Sequence, residues 1–411
     1  MPDSFCPHLH DGLDVTPTGH LKPCCVYTGR ALRGDSIALN IAEHPVAAVS
    51  ASHEVQELRR ASLHNRPIAG CQKCYDIEQS GGKSSRLIAI EQIGDLPARR
   101  MEFAGTVTTS RPERVMLQLG DLCNFRCRMC KPSLSTRIAA DKVQRGLLDS
   151  FGLFAEEMPR IATVQRKLRW HEDRDVRNGK AYSYVRDAKT ISLVGGEPTL
   201  IPIVRPLLRQ LIADGRAPGQ KIIITTNGSV GDPGLIDLLS AFERAVVNVS
   251  VDGFNEVNDY IRFGSDWPEI DANIRAFIAA GLHVRLAVTI QICNAFSLGE
   301  LMHYASSLGI PVTPGWVSDP YFLDIQQFPD ALRHDIQRHL LSAADAFTPQ
   351  DSCQRLLTYA AQRAIAPPRA PRDDVLDRFW EYSNALDADR GQSIQTTLPD
   401  LVRAMSRHAQ P

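Results

Sequence analysis

The chain has 411 residues, 43% of them hydrophobic, enough to bury a full core and to build one large domain with one or two smaller ones. Lys plus Arg number 46 against 47 for Asp plus Glu, a formal net charge of -1, so no global field draws in nucleic acid or an anionic membrane, and neither is expected as a partner. There is no apolar run of membrane length and no charged-then-apolar leader at Met1-Pro2-Asp3-Ser4-Phe5-Cys6, so the expected location is the cytoplasm, where thiols stay reduced.

Cysteines dominate the start of the chain: Cys6, the pair Cys24 and Cys25, then Cys71-Gln72-Lys73-Cys74. Pro17-Thr18-Gly19 between Leu13-Asp14-Val15-Thr16 and Leu21-Lys22-Pro23 predicts a hairpin that brings Cys6 near Cys24. Val46 to Leu63 has helical spacing and is stopped by Pro67 and Gly70 ahead of the CxxC. Four thiolates gathered in this way suit either a structural zinc site or an iron-sulfur cluster, and spacing alone does not separate the two. Neighbouring strand residues point to opposite faces, so at most one of Cys24 and Cys25 turns toward a shared metal. Residues 76 to 112 read as a linker with one amphipathic piece. Within it Gly81-Gly82-Lys83-Ser84-Ser85-Arg86 lacks the first glycine and the preceding strand of a phosphate loop, and so reads as a turn.

Next comes an apolar run, Val115 to Leu119, followed at once by Cys123-Asn124-Phe125-Arg126-Cys127-Arg128-Met129-Cys130. Three cysteines so close, in a long chain that stays reduced, point to metal rather than to disulfides. On an iron-sulfur cluster that takes four ligands, three thiolates leave one iron open to something that is not protein; a zinc site of three cysteines and a histidine is the alternative. Ile138 to Met158 then has helical period, and Arg166 to Asp187 is a tract of mixed charge that reads as a solvated surface.

From Thr190 onward strand-like runs alternate with helical stretches. Thr190 to Val194 ends at Gly195-Gly196-Glu197, Lys221 to Thr225 at Thr226-Asn227-Gly228, and Ala245 to Val249 at Ser250-Val251-Asp252-Gly253; His283 to Ile292 ends at Cys293-Asn294, and Pro311 to Val317 opens the last unit. With Val115 to Leu119 these make six strands. The alternation predicts an α/β fold with a parallel sheet and right-handed crossovers, and polar residues after each strand predict a site at the sheet's C-terminal edge. Beyond it, a helix from Pro329 to about Ala346, a stiff break at Ala366-Pro367-Pro368-Arg369-Ala370-Pro371 and a helix from Val375 to Leu386 predict a helical extension.

The C-x3-C-x2-C spacing with a following GGE resembles the radical SAM superfamily, and the N-terminal cysteine pattern resembles its twitch or SPASM module. That module stands ahead of the core here rather than behind it. Met129 departs from the aromatic residue many members carry before the last cysteine, without removing a ligand. The resemblance implies a six-stranded (β/α)6 partial TIM barrel over 113–318, a twitch-like module over 1–90, a linker over 91–112 and the helical extension over 319–411. It implies Cys123, Cys127 and Cys130 as ligands of a 4Fe-4S cluster that binds S-adenosylmethionine, and Cys6, Cys24, Cys71 and Cys74 as ligands of an auxiliary 4Fe-4S cluster. Gly195, Gly196, Glu197, Asn227, Ser250, Asp252 and Arg262 become the expected contacts to S-adenosylmethionine, with Arg262 suited by its fork to a carboxylate.

The function so implied is reductive cleavage of S-adenosylmethionine to a 5'-deoxyadenosyl radical that takes a hydrogen atom from a peptide or protein side chain. An external one-electron donor of flavodoxin or ferredoxin type is the expected partner. The alternatives are a radical dehydrogenase of a small alcohol or aminosugar and, from another class, a non-catalytic iron-sulfur electron-transfer or sensor protein. Cys293, at the end of the fifth strand, is the candidate catalytic residue, with a small apolar filler as the plainer role for it and for Cys353.

Overall fold

A computed structural model describes residues 4–34, 37–79, 83–109, 111–154, 170, 179–368 and 370–408. The chain divides into two compact units. The first comprises Met1–Asp121, Thr163–Ile224 and Asp237–Ala245; the second comprises Leu122–Ala162, Thr225–Ile236 and Val246–Pro411.

In the first unit Arg114–Leu119 and Thr190–Gly195 run parallel to each other and to strand Lys221–Thr226, which lies in this unit as far as Ile224, with Leu117 across from Leu193 and Leu193 across from Ile224. Arg114–Leu119 alternates half-buried and buried residues, so Val115, Leu117 and Leu119 form one packed face and Arg114, Met116 and Gln118 the other. Helix Val204–Ala213 buries Val204, Leu207, Leu208 and Leu211, the spacing of a stripe that covers a sheet.

The N-terminal hairpin is present as Gly12–Val15 and Leu21–Lys22, turning at Gly19. It is more than a hairpin: Gly12–Val15 also pairs in parallel with Arg114–Leu119, Val15 across from Leu117, so the cysteine-rich segment extends the core sheet. Gln118 fixes this register by donating to both carboxylate oxygens of Asp14, at 2.9 and 2.7 Å.

Two N-terminal expectations need correction. The stretch Val46 to Leu63 is two helices, Ala47–Ala51 and His53–Leu63, because the Ser52 side chain accepts from Val55 N and caps the second. Residues 76 to 112 hold the end of helix Gln72–Gln79 and the helices Ser85–Glu91 and Leu96–Gly105, started by Ser84 and Asp95 caps, rather than one amphipathic piece. Of the Gly81 to Arg86 turn, residues 81 and 82 lie outside the described residues, as does most of the charged tract Arg166 to Asp187. The expected helix from Ile138 breaks at Asp141 into Thr136–Ala140 and Lys142–Ser150, and its end near Met158 also lies outside the described residues.

In the second unit His283–Ile290 and Val312–Trp316 are parallel to each other and to strand Arg244–Ser250, which lies in this unit from Val246 on, with Val249 across from Leu286 and Leu286 across from Val312. All six expected core strands are therefore present in a mostly parallel α/β architecture. Helix Trp267–Ala279 buries Trp267, Ile270, Ile274 and Phe277. The C-terminal part is helical, as expected, with Asp330–Ala344, Ser352–Ala364, Val375–Arg390 and Pro399–His408. Cys353 is buried in the second of these, its thiol against the Met302 carbonyl, as a core filler would be.

Candidate active site and iron-sulfur sites

In the second unit the cysteine loop is fixed by backbone. Arg126–Cys127 forms a two-residue antiparallel ladder with Arg262–Phe263, Cys127 opposite Arg262, and Arg128 N donates to Ile261 O at 2.9 Å. Cys127 is buried, with Cys123 and Cys130 half-buried. Burial pushes the Cys127 thiol up; Arg262 opposes that rise, and the Cys130 and Cys123 charges add to it. Cys130 is pushed up to about 12, by burial first and the Cys123 charge next. These three thiols thus lie within electrostatic reach of one another. Among the described residues no three His, Cys, Asp or Glu side chains close around a point that would hold one metal ion.

Asn227 joins this loop: its Nδ2 donates to Asn124 Oδ1 at 2.8 Å, its Oδ1 accepts from Ser229, and Asn124 Nδ2 donates to Ser229 Oγ at 3.0 Å. Asp252 is fully buried and stands 2.8 Å from Arg262 Nε; it also accepts from Thr289 N at 2.6 Å. Burial raises the Asp252 pKa, with Arg262 and the Thr289 N–H pulling it back. Desolvation works against the Arg262 charge, yet Asp252 and Cys127 together hold its pKa above the ordinary value. Arg262 therefore has a carboxylate of the chain's own beside it. Ser250 ends its strand half-buried, two residues before Asp252.

Gly195, Gly196 and Glu197 belong to the first unit. Gly195 has φ +140, and a Cβ there would stand 2.4 Å from Leu119 O, so only glycine fits this turn. Gly196 N donates to Gly120 O at 3.1 Å. Glu197 is fully buried and accepts from Thr199 N at 3.0 Å and from Thr199 Oγ1 at 2.6 Å, a cap on the turn Pro198–Leu200.

The N-terminal thiols are also brought together. Cys6, Leu9, Tyr27 and Ile68 form a buried cluster, with Cys24 and Cys71 packed against it. The Cys6 thiol is pushed up by burial and then by the Cys24, Cys71 and Cys74 charges. Cys71 is pushed up to about 12 by burial, Cys24 and Cys74, and Cys24 to about 11, mainly by burial. Cys25 is exposed, and it and Cys24 lie in a turn past the end of Leu21–Lys22 rather than on a strand. Three buried side chains hold the Cys6 segment in place. Ser62 Oγ accepts from Cys6 N at 2.9 Å, Arg86 donates to Phe5 O at 2.9 Å, and Arg59 donates to the carbonyls of Leu9, His10 and Val107. Gly70, just before Cys71, leaves room for the Tyr27 ring, which a Cβ would meet at 2.2 Å.

Cys293 is buried, its pKa pushed up to about 12 by desolvation, and it lines a cavity of about 260 Å³ with Phe254, Phe296, Ser297, Thr397 and Leu398. The cavity lies beyond the ends of Arg244–Ser250 and His283–Ile290, where α/β folds bind ligands. Sequence reasoning missed Asn124, Gln144, Asp387 and Arg390, which fasten the cysteine loop. Asn124 lies inside the motif and was legible as a polar residue there; the others are more than ten residues away from it in sequence.

Residues 117–294 match the Radical SAM superfamily, and residues 6–75 match SPASM, an iron-sulfur cluster-binding domain. Residues 117–294 are thus a radical SAM domain. The chain's iron-sulfur domain precedes the radical SAM domain, and the two bring S-adenosylmethionine, a 4Fe-4S cluster and an auxiliary cluster as cofactors. No curated protein matches the chain. Among solved structures, anSMEcpe with bound AdoMet and Cp18Cys peptide is 15% identical at a TM-score of 0.37, over 57% of this chain and 58% of that one. The Streptococcus suis SuiB structure bound to precursor peptide SuiA is 13% identical at a TM-score of 0.39, over 80% of this chain and 68% of that one. The TYW1 structure with a lysine-pyruvate adduct is 14% identical at a TM-score of 0.30, over 55% and 68%. The chain thus spans under three fifths of the anSMEcpe chain. No helix among the described residues is long and apolar enough to cross a membrane.

Proposed function

We propose that this chain is a radical SAM enzyme that takes a hydrogen atom from a peptide or protein side chain and uses an auxiliary cluster in the reaction. When bound and reduced by an external one-electron donor, the 4Fe-4S cluster and S-adenosylmethionine supply a 5'-deoxyadenosyl radical. The observation that carries this reading is the cysteine loop itself: three thiols spaced C-x3-C-x2-C, with Cys127 buried on a backbone laddered to Arg262.

Cys123, Cys127 and Cys130 would hold the first cluster, and Cys6, Cys24, Cys71 and Cys74 the auxiliary one. Arg262, kept charged by Asp252, supports a role for this pair in orienting the carboxylate end of S-adenosylmethionine, and Gly195, Gly196 and Glu197 are the proposed contacts to its amino end. The conjunction of a radical SAM domain with a SPASM-type domain supports a peptide or protein substrate. Burial of Cys127 and Asp252 supports a site from which water is largely excluded, as radical chemistry requires.

The test is chromatographic detection of 5'-deoxyadenosine from anaerobically reconstituted protein with S-adenosylmethionine and dithionite. The native chain is expected to form it and the Cys123→Ala, Cys127→Ala, Cys130→Ala triple variant to form none. Equal product from both would overturn the proposal.

A further inference from the structure

The two positions inside the cysteine motif that carry no thiol and hold arginine, 126 and 128, turn toward the C-terminal helix. Arg128 is 1% exposed, although it is one residue from Cys127 and two from Cys130. Its guanidinium reaches Asp387 Oδ1 at 2.5 Å, Gln392 Oε1 at 2.9 Å and Tyr260 O at 2.9 Å, and lies 3.7 Å from the centre of the Tyr260 ring. Arg126 pairs with Asp141 at 2.8 Å and lies 3.5 Å from Asp389. Arg390 donates to Gln144 Oε1 at 2.6 Å and lies 3.7 Å from Asp141. Gln144 Nε2 in turn donates to the Cys127 carbonyl at 3.1 Å, and Tyr382 donates to the Arg128 carbonyl at 2.7 Å.

Three cations, Arg126, Arg128 and Arg390, are thus set against three carboxylates, Asp141, Asp387 and Asp389, around one loop. Packing alone does not require this. A buried ion pair is weak evidence for stability, since apolar residues of like volume serve as well. What the arrangement does secure is neutrality next to the thiols. A lone buried cation there would favour the more negative, reduced form of any redox group held by Cys127 and Cys130, because charge interactions are strong where water is excluded.

We infer that Asp387, on helix Val375–Arg390, is a positioning residue that neutralises Arg128 and thereby holds down the reduction potential of the cluster borne by the flanking cysteines. The C-terminal extension is then part of the redox site rather than an outer cover. This rests on the cluster assignment proposed above. It also explains why a charge pair spans 259 residues of chain to reach the middle of a cysteine motif.

The test is an EPR-monitored redox titration of the reconstituted full chain, native, Asp387→Asn and Arg128→Met/Asp387→Asn, with iron content measured alongside. Asp387→Asn is expected to raise the potential by at least the 59 mV that a tenfold change in a one-electron equilibrium represents, or to lose its iron. In either case the double variant, which carries neither charge, returns to the native potential and iron content. A double variant that stays with Asp387→Asn, or an Asp387→Asn protein of native potential and iron content, overturns the inference. Failure of the cluster assignment reads differently: the native chain itself would then show no reducible signal that changes when S-adenosylmethionine is added.

Discussion

Arg262 lies directly across from Cys127 in a two-residue antiparallel ladder while its guanidinium stands 2.8 Å from the buried Asp252 carboxylate. One short strand therefore carries both the partner of a candidate iron ligand and half of a buried ion pair. Removing one half leaves the other charge stranded, at a cost of about 3–5 kcal/mol. Asp252→Ala should lower the thermal midpoint accordingly, whereas Asp252→Leu/Arg262→Met should recover most of it. Equilibrium dialysis with S-adenosylmethionine separates structure from binding: the recovered double variant should still bind at least tenfold more weakly than native protein.

Gly195 offers a backbone test. A Cβ at this φ of +140 would run into Leu119 O at 2.4 Å, so Gly195→Ala forces the turn before Glu197 to move. Strain of this kind costs roughly 1–3 kcal/mol. The folded variant should lose affinity for S-adenosylmethionine in the same dialysis assay, and native affinity would remove the turn from the binding site.

Asp14 gives the first unit a pH dependence. Desolvation raises its pKa to about 6, against the pull of Gln118 and Lys22. Its unfolded value is about 3.9, so between roughly pH 4 and 6 the folded state holds a proton that the unfolded state has lost. Stability is therefore fullest below that window and falls as pH rises through it, by roughly 2–3 kcal/mol at most. Thermal melts of Asp14→Asn should show a smaller fall between pH 4 and 6 than native protein, and an equal fall would show that another group governs the slope.

The six strands, the hairpin and the three cysteine groups were legible because each is written in a few adjacent residues: alternation, a Pro/Gly turn, a fixed thiol spacing. Pairings between distant segments leave no such trace. Gly12–Val15 alongside Arg114–Leu119, Gln144 beneath Tyr382 and Arg128 against Asp387 look in sequence like ordinary polar or apolar positions. Within the motif the two arginines were the least legible, since Arg126 and Arg128 fill gaps between ligands and only the fold gives them partners. Helices Ser85–Glu91 and Leu96–Gly105 were missed for a local reason: their Ser84 and Asp95 caps lie in a stretch rich in charge and glycine, where the helical period is short.

The N-terminal thiols should be separable from S-adenosylmethionine cleavage. Cys71 and Cys74 lie in a 3-10 turn and the helix that follows it, apart in sequence from the loop at Cys123 to Cys130. Cys71→Ala/Cys74→Ala, checked for folding by circular dichroism, should form 5'-deoxyadenosine within about twofold of native protein, on the view that this module acts after radical generation. Complete loss of product from a folded variant that still holds its first cluster would assign the module to radical generation itself.

The most direct measurement is iron and acid-labile sulfide in anaerobically reconstituted protein, native and with Cys123, Cys127 and Cys130 all replaced by Ala. Two four-iron sites give about eight irons per native chain and about four in the triple variant, with no zinc in either. About four irons in the native chain and none in the variant, or zinc in place of iron at the N-terminal thiols, would contradict the two-cluster account.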